Sequence, residues 1–124
     1  MDHASRLLSA IVLGLGLATG AQGQDAPVSG KEITEQWVGK SAIGRTPNGT
    51  PATLQLRADG TVTIASGSAV LDTGTWRAWD RGYCTTWKTI RAGQERCFTT
   101  IRSGRLITVL NPDGSVSGFF DEIQ

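Results

Sequence analysis

From Ser41 onward the chain is punctuated by turn signals spaced roughly 8 to 12 residues apart, the cadence of many short strands. They are Pro47-Asn48-Gly49, Ala58-Asp59-Gly60, Ser66-Gly67, Asp72-Thr73-Gly74, Asp80-Arg81-Gly82, Ala92-Gly93, Ser103-Gly104 and Asn111-Pro112-Asp113-Gly114. Glycine reaches positive φ cheaply, and Asp or Asn bonds the local backbone, so each cluster can reverse the chain. Between the turns, apolar and polar residues alternate. Leu54 and Leu56 oppose Thr53, Gln55 and Arg57; Val62 and Ile64 repeat the pattern; Gly74, Trp76 and Ala78 oppose Thr75, Arg77 and Trp79. Leu106, Thr108 and Leu110 alternate with Ile107 and Val109, and Val116, Gly118 and Phe120 with Ser117 and Phe119. A period of two over so many segments predicts an all-β antiparallel meander of about eight strands. Closing such a meander into a small up-and-down β-barrel removes its exposed edges. A two-sheet sandwich is the alternative. A barrel of about eight strands is just wide enough to be filled by side chains or to hold one small ligand.

Ahead of the strands, Ser29-Gly30-Lys31-Glu32 fits a helix-start box in which Ser29 caps a backbone N–H and Glu32 reaches back. The pattern predicts a short helical turn over residues 31–37. Ile33 and Trp37 then fall on one face, as a plug or lid for the barrel. The segment 24–30, which carries Pro, Ser and Gly, reads as loose.

The first 23 residues read as an export signal, residues 1–23, with the domain occupying 24–124. A polar start with Arg6 precedes the apolar run Leu7 to Ala18, and small residues follow. Ala21-Gln22-Gly23 favours a cut after Gly23, with Gly20 as the alternative. The apolar run falls short of the roughly 20 residues a membrane-spanning helix needs, so no membrane span is expected. Removing Asp2 and Arg6 takes away one charge of each sign and leaves the net charge of +1 unchanged. Nothing in that balance calls for nucleic acid. A periplasmic or secreted monomer is expected.

The chain has two cysteines, Cys84 and Cys97. The expected strands run from Tyr83 to Ile90 and from Arg96 to Arg102, and the turn Arg91-Ala92-Gly93-Gln94 lies near the midpoint between the cysteines. That register places them opposite each other, within reach of a disulfide, and an oxidising compartment would let the bond form. A redox pair would more commonly use a Cys-x-x-Cys spacing. The same stretch concentrates charge. From residue 77 to residue 105 there are seven basic residues (Arg77, Arg81, Lys88, Arg91, Arg96, Arg102, Arg105) against Asp80 and Glu95. One reading is a solvated strand face whose cations guard an edge. The sharper reading is an anion- or partner-facing surface built from Arg91, Arg96 and Lys88, deepened by Trp79 and Trp87. Both tryptophans also fit ordinary strand packing.

The side-chain inventory excludes much chemistry. The sole histidine, His3, lies inside the expected export signal, so the exported chain would lack one, and a Ser-His-Asp or Cys-His arrangement is ruled out. Disulfide-bonded cysteines and no histidine leave no conventional zinc site, and no Asp-x-Asp loop suggests calcium. No Walker-type phosphate loop is present. No metal and no cofactor are expected. Two carboxylates across a cleft could hydrolyse a glycosidic bond, with Glu32, Glu35, Asp59, Asp72, Asp113 and Asp121 as candidates. Turn structure accounts for Asp59, Asp72 and Asp113 without catalysis.

The ordered set Asp72-Thr-Gly-Thr-Trp-Arg77, Tyr83-Cys-Thr-Thr-Trp-Lys88, Gly93-Gln-Glu-Arg-Cys-Phe98 and Asn111-Pro-Asp-Gly-Ser115 resembles small exported alphaproteobacterial proteins of unknown function. In these a Gly-x-Trp strand precedes a Cys-x-x-Trp strand, a Glu-x-Cys-aromatic strand and a late Asp-Gly turn. The resemblance covers about the C-terminal half of the chain, and more weakly Trp37-Val-Gly-Lys40. It implies a periplasmic β-barrel with a disulfide and carries over no active site. The chain is more loosely similar to calycin-type barrels and to periplasmic protease-inhibitor barrels, an analogy of fold alone. The expected function is a non-enzymatic binding or interaction module for a small molecule, an envelope component or an exported protein. An inhibitor of an exported protease or hydrolase is the first alternative, and a carboxylate-based hydrolase the second. An interior void of at least about 300 Å³ with convergent polar groups would favour ligand binding, and a solid, side-chain-filled barrel would favour surface interaction.

Overall fold

Eight antiparallel strands follow one another around a cylinder in the computed structural model, which describes residues 25–124. A two-residue strand, β1 (Ala26–Pro27), precedes them. The eight are β2 (Ser41–Arg45), β3 (Pro51–Leu56), β4 (Thr61–Ser66), β5 (Ala69–Trp79), β6 (Gly82–Trp87), β7 (Arg96–Ser103), β8 (Leu106–Leu110) and β9 (Val116–Ile123). Each pairs with its sequence neighbour, and β9 pairs back onto β2, closing the up-and-down barrel. The sequence signal at Asp72-Thr73-Gly74 is not a turn. It lies inside the long strand β5, where Ile64 faces Asp72 and Ala65 faces Val70, so Leu71 is the extra residue of a bulge. The export signal predicted for residues 1–23, with its cleavage site and His3, lies outside the described residues.

Closure depends on close backbone approach at Gly44. A Cβ there would stand 1.7 Å from the Phe119 carbonyl oxygen, at the register shift where β2 meets β9. Only glycine leaves room for the two strands to meet at that bulge.

The helix α1 (Gly30–Gln36) plugs one end. Ser29 is its N-cap, and its side chain accepts the Glu32 N–H at 3.1 Å. The other half of the expected box is not formed. The Glu32 carboxylate turns outward to Arg102, whose Nη1 donates to Oε1 at 3.4 Å. Ile33 and Trp37, four residues apart, are both buried and face the barrel interior. Trp37 packs edge-on against Phe120, with centroids 5.6 Å apart, and tilted against Tyr83 at 6.1 Å. These plug residues join Leu54, Leu56, Val62, Phe98 and Ile107 in one core.

The segment expected to be loose is strapped down. β1 pairs with β7 at Arg102 and Ile101. Val28 is fully buried, its N–H donates to the Thr100 carbonyl at 2.9 Å, and the Thr100 hydroxyl donates to the Val28 carbonyl at 2.6 Å. A single buried apolar residue with both backbone groups satisfied outweighs the turn-like composition around it. Gly30 then passes so close to β5 that a Cβ would lie 2.1 Å from the Trp79 carbonyl oxygen. The plug can seat only with glycine at that position.

Candidate functional site

The end of the barrel opposite α1 is open. Strand alternation there turns Leu54, Ile64, Trp87, Phe98, Val109 and Phe120 toward the axis, and they wall a cavity of about 230 Å³. The volume is below the 300 Å³ expected of a ligand-holding interior, and it amounts to roughly eight water volumes. The polar residues that line it are Arg45, Thr46, Tyr83, Thr85, Arg91 and Ser117. Tyr83 lies between the plug and the cavity, 5.4 Å from the Phe98 ring. Burial pushes its phenol above the ordinary value, an effect Arg91 only partly offsets, so it stays neutral and able to donate.

Arg91 reaches this cavity from an unusual turn. β6 was expected to run to Ile90 but ends at Trp87, and a tight turn over Ile90–Gly93 follows. Arg91 and Ala92 have φ of 55° and 53°, the left-handed region that non-glycine residues enter at a cost of about 1–2 kcal/mol each. The turn carries the Arg91 side chain inward. Its Nη2 donates to Thr85 Oγ1 at 3.1 Å, and the guanidinium lies 5.4 Å from the Phe98 centroid. Its Nε is buried and has no hydrogen-bond partner. Desolvation, then the nearby charge of Arg96, lowers the pKa of the guanidinium from its ordinary value. From so high a starting point, arginine remains a cation at any physiological pH.

What holds the turn in place is Asp72. One carboxylate oxygen accepts from the Thr89 N–H at 2.9 Å, the Ile90 N–H at 2.8 Å and the Thr89 hydroxyl at 2.8 Å, and the other accepts from the Thr73 N–H at 2.8 Å. These bonds, led by the one from Ile90, hold the carboxyl well below its ordinary value of 3.8. The ionised form is therefore the one that supports the fold. Its contribution is fully present above about pH 4 and declines as pH falls toward the folded-state value. Replacing Asp72 with Asn should lower the melting temperature at pH 7, and the gap to the unmodified protein should narrow steadily below about pH 4. A melting series from pH 7 to about pH 2 reads this directly; a gap independent of pH would show that the carboxylate charge plays no part.

The other sequence-predicted residues divide between the mouth and the outer wall. Trp87 lines the cavity with Arg91. Arg96 stands opposite Thr85 on the same inward face, at the rim, and its Nη1 donates to Asn111 Oδ1 at 3.2 Å. Lys88 is exposed on the outside, beside a groove lined by Thr61, Thr63, Thr73 and Thr75. Trp79 is on the outer wall at the plugged end, where its Nε1 donates to the Phe98 carbonyl at 2.8 Å and Arg81 stacks over its ring. The basic stretch is thus dispersed rather than gathered into one patch. Arg77 forms a two-pronged pair with Glu95, at 2.8 and 3.0 Å, and Arg102 pairs with Glu32.

Cys84 and Cys97 are directly opposite across β6 and β7 and form a disulfide, with their Cα atoms 3.9 Å apart. Alternation with inward Tyr83 and Thr85 puts the bond on the outer wall, where Arg77 Nη2 lies 3.7 Å from Cys97 Sγ. Among the described residues, the one close grouping of potential metal-ligating side chains is Cys84, Cys97 and Glu95, and there both sulfurs are bonded to each other and Glu95 is engaged by Arg77.

Sequence reasoning missed the roles of Asp72, Thr85 and Arg45. Arg45 joins the rim, where it donates to Asp121 at 3.0 Å and stacks over Phe119. The signal for Thr85 was available, since it alternates in phase with Tyr83 and Trp87. For Asp72 no local signal existed, because its partners Thr89 and Ile90 lie 17 and 18 residues away. No known protein family, curated protein or solved structure matches the chain.

Proposed function

We propose that this chain is an exported, non-enzymatic binding module that holds a small ligand in the open end of its barrel. The observation that carries this reading is the asymmetry of the cylinder. One end is sealed by Ile33 and Trp37, while the other retains a cavity of about 230 Å³ with an arginine, a tyrosine and a threonine turned into apolar walls. Small-molecule sites are built in this way, largely apolar with a few placed polar groups, and the mouths of β-barrels are a favoured position. The modest volume restricts the occupant to something smaller than a drug-sized molecule. Export is supported by the leader-like first 23 residues and by the disulfide, which an oxidising compartment favours.

Native mass spectrometry tests the reading even while the ligand is unidentified. Protein incubated with a small-molecule extract of the periplasm should retain a low-mass adduct. The variant Ala52→Phe, which places a ring at the cavity wall, should lose that adduct while keeping its melting temperature. An unmodified protein that retains nothing, or a variant that retains as much, would remove the barrel interior as the site.

A further inference from the structure

Arg91 is a half-buried cation facing a largely apolar cavity; its Nε is shut off from solvent without a partner, and among the described residues Thr85 is the one side chain that accepts from it. Removing a charge from water without an opposite charge is costly, and proteins tolerate it where a counter-charge arrives from elsewhere. No carboxylate of the described residues supplies one. Asp72 uses its oxygens on Thr73, Thr89 and Ile90, Asp121 is taken by Arg45, and Asp113 accepts from the Ser115 N–H at 2.9 Å in its own turn. The charged side chain that acts on Arg91 is a second cation, Arg96, whose hydrogen-bond partner is the neutral Asn111 and which also lies within electrostatic reach of Asp113. The turn that delivers Arg91 holds it in a left-handed backbone conformation, and strain of this kind gathers where a ligand is clamped.

From this arrangement we infer that the ligand is a small organic carboxylate, its carboxylate set against Arg91 near Arg96 and its short aliphatic or aromatic body lying among Leu54, Trp87, Phe98 and Val109. This rests on the barrel interior being the binding site and adds the chemical class. The planar guanidinium offers paired N–H groups that match a carboxylate in two-pronged geometry. Arg45, the other cation of the lining, is already paired with Asp121. Thr46, Tyr83, Thr85 and Ser117 are neutral, and the rest of the lining is apolar, so a second charge on the ligand would find no free counter-charge in the lining.

The test is titration calorimetry with matched probes: benzoate and hexanoate against benzamide and hexanamide, with inorganic phosphate as a bare anion. Each acid should bind at least about tenfold more tightly than its amide, the scale of a charge-assisted pair. Phosphate should neither bind nor displace benzoate. In Arg91→Gln the acid and the amide should become equal, with amide binding within about twofold of the unmodified protein. Acid and amide binding equally to the unmodified protein would overturn the carboxylate assignment while leaving the cavity as a ligand site. Phosphate matching benzoate would also overturn it, in favour of a simple anion site. If none of the five probes binds, the carboxylate assignment falls, and the adduct measurement with Ala52→Phe decides separately whether the interior binds anything. The comparison of acid with amide uses the unmodified protein, so it stands even if the variant fails to fold.

Discussion

Replacing Trp37 with alanine should destabilise the barrel by about 3–5 kcal/mol, the range for truncating a large buried aromatic. A domain of this size has a total stability of about 5–15 kcal/mol, so the loss is a large fraction of the whole. The magnitude follows from position. Trp37 is 2% exposed, caps the C-terminal end of α1, and is the only group of the plug in ring contact with the barrel wall, through Phe120 and Tyr83. Alanine would leave a hole that the surrounding strands cannot collapse to fill, because barrel closure fixes the distance between opposite walls. Ile33 would remain, but a helix of seven residues has little stability of its own and depends on its apolar face. Denaturant unfolding monitored by circular dichroism gives the value. A loss below about 1 kcal/mol would mean that the barrel holds itself together without its plug.

The Trp37 result bears on the open end as well. Tyr83 touches Trp37 on one side and Phe98 on the other, and Phe98 in turn lies under the Arg91 guanidinium. The plug is therefore the floor of the candidate site. Wall, floor and clamp form one contiguous stack of side chains, and close-packed side chains transmit displacement rather than absorb it.

The sequence allowed the barrel to be read because its signals are local and repeated. Alternation over 54–57 and 62–64 specifies which face turns inward, whereas over 106–110 both faces are largely apolar and packing decides that Ile107 and Val109 are buried; glycine-bearing turns mark where most strands stop. The same holds for the opposition of Cys84 and Cys97, which follows from a hairpin register of a few residues. Errors arose where a distant partner overrides local composition. Asp72-Thr73-Gly74 has the chemistry of a turn, yet Asp72 stays in strand β5 because its carboxylate is claimed by backbone groups of the next loop. Those same bonds end β6 at Trp87, three residues short of expectation. The segment before α1 looked loose until Val28 found a fully buried position against Thr100. The inward course of Arg91 had no sequence signature, since a left-handed arginine is a conformation imposed by its surroundings. The size of the cavity was equally out of reach, because volume depends on how side chains from seven strands and a turn meet, not on their spacing along any one of them.

Reducing the Cys84–Cys97 bond should cost about 3 kcal/mol, the amount expected when a closed loop of about 14 residues is released. For a chain of this length that is a fall in melting temperature on the order of 12–24 °C. The double variant Cys84→Ala, Cys97→Ala should show the same fall and no further change with dithiothreitol. Reduction should be slow in the folded protein, because Cys84 is fully buried and the Arg77–Glu95 pair lies beside the sulfurs. The effect should reach beyond stability. The loop closed by this bond contains Thr89, Ile90 and Arg91, so the clamp turn is held at one side by the disulfide on the outer wall and at the other by the Asp72 carboxylate. Opening the bond removes one of two restraints on a turn that already carries two left-handed non-glycine residues, and such a turn relaxes when its surroundings no longer enforce it. The reduced protein, kept well below its new melting temperature, should therefore lose benzoate affinity more than benzamide affinity. Equal losses for the two probes would mean that the bond supports the barrel as a whole and leaves Arg91 where it was. An unchanged melting temperature would remove the disulfide from the stability of the fold altogether.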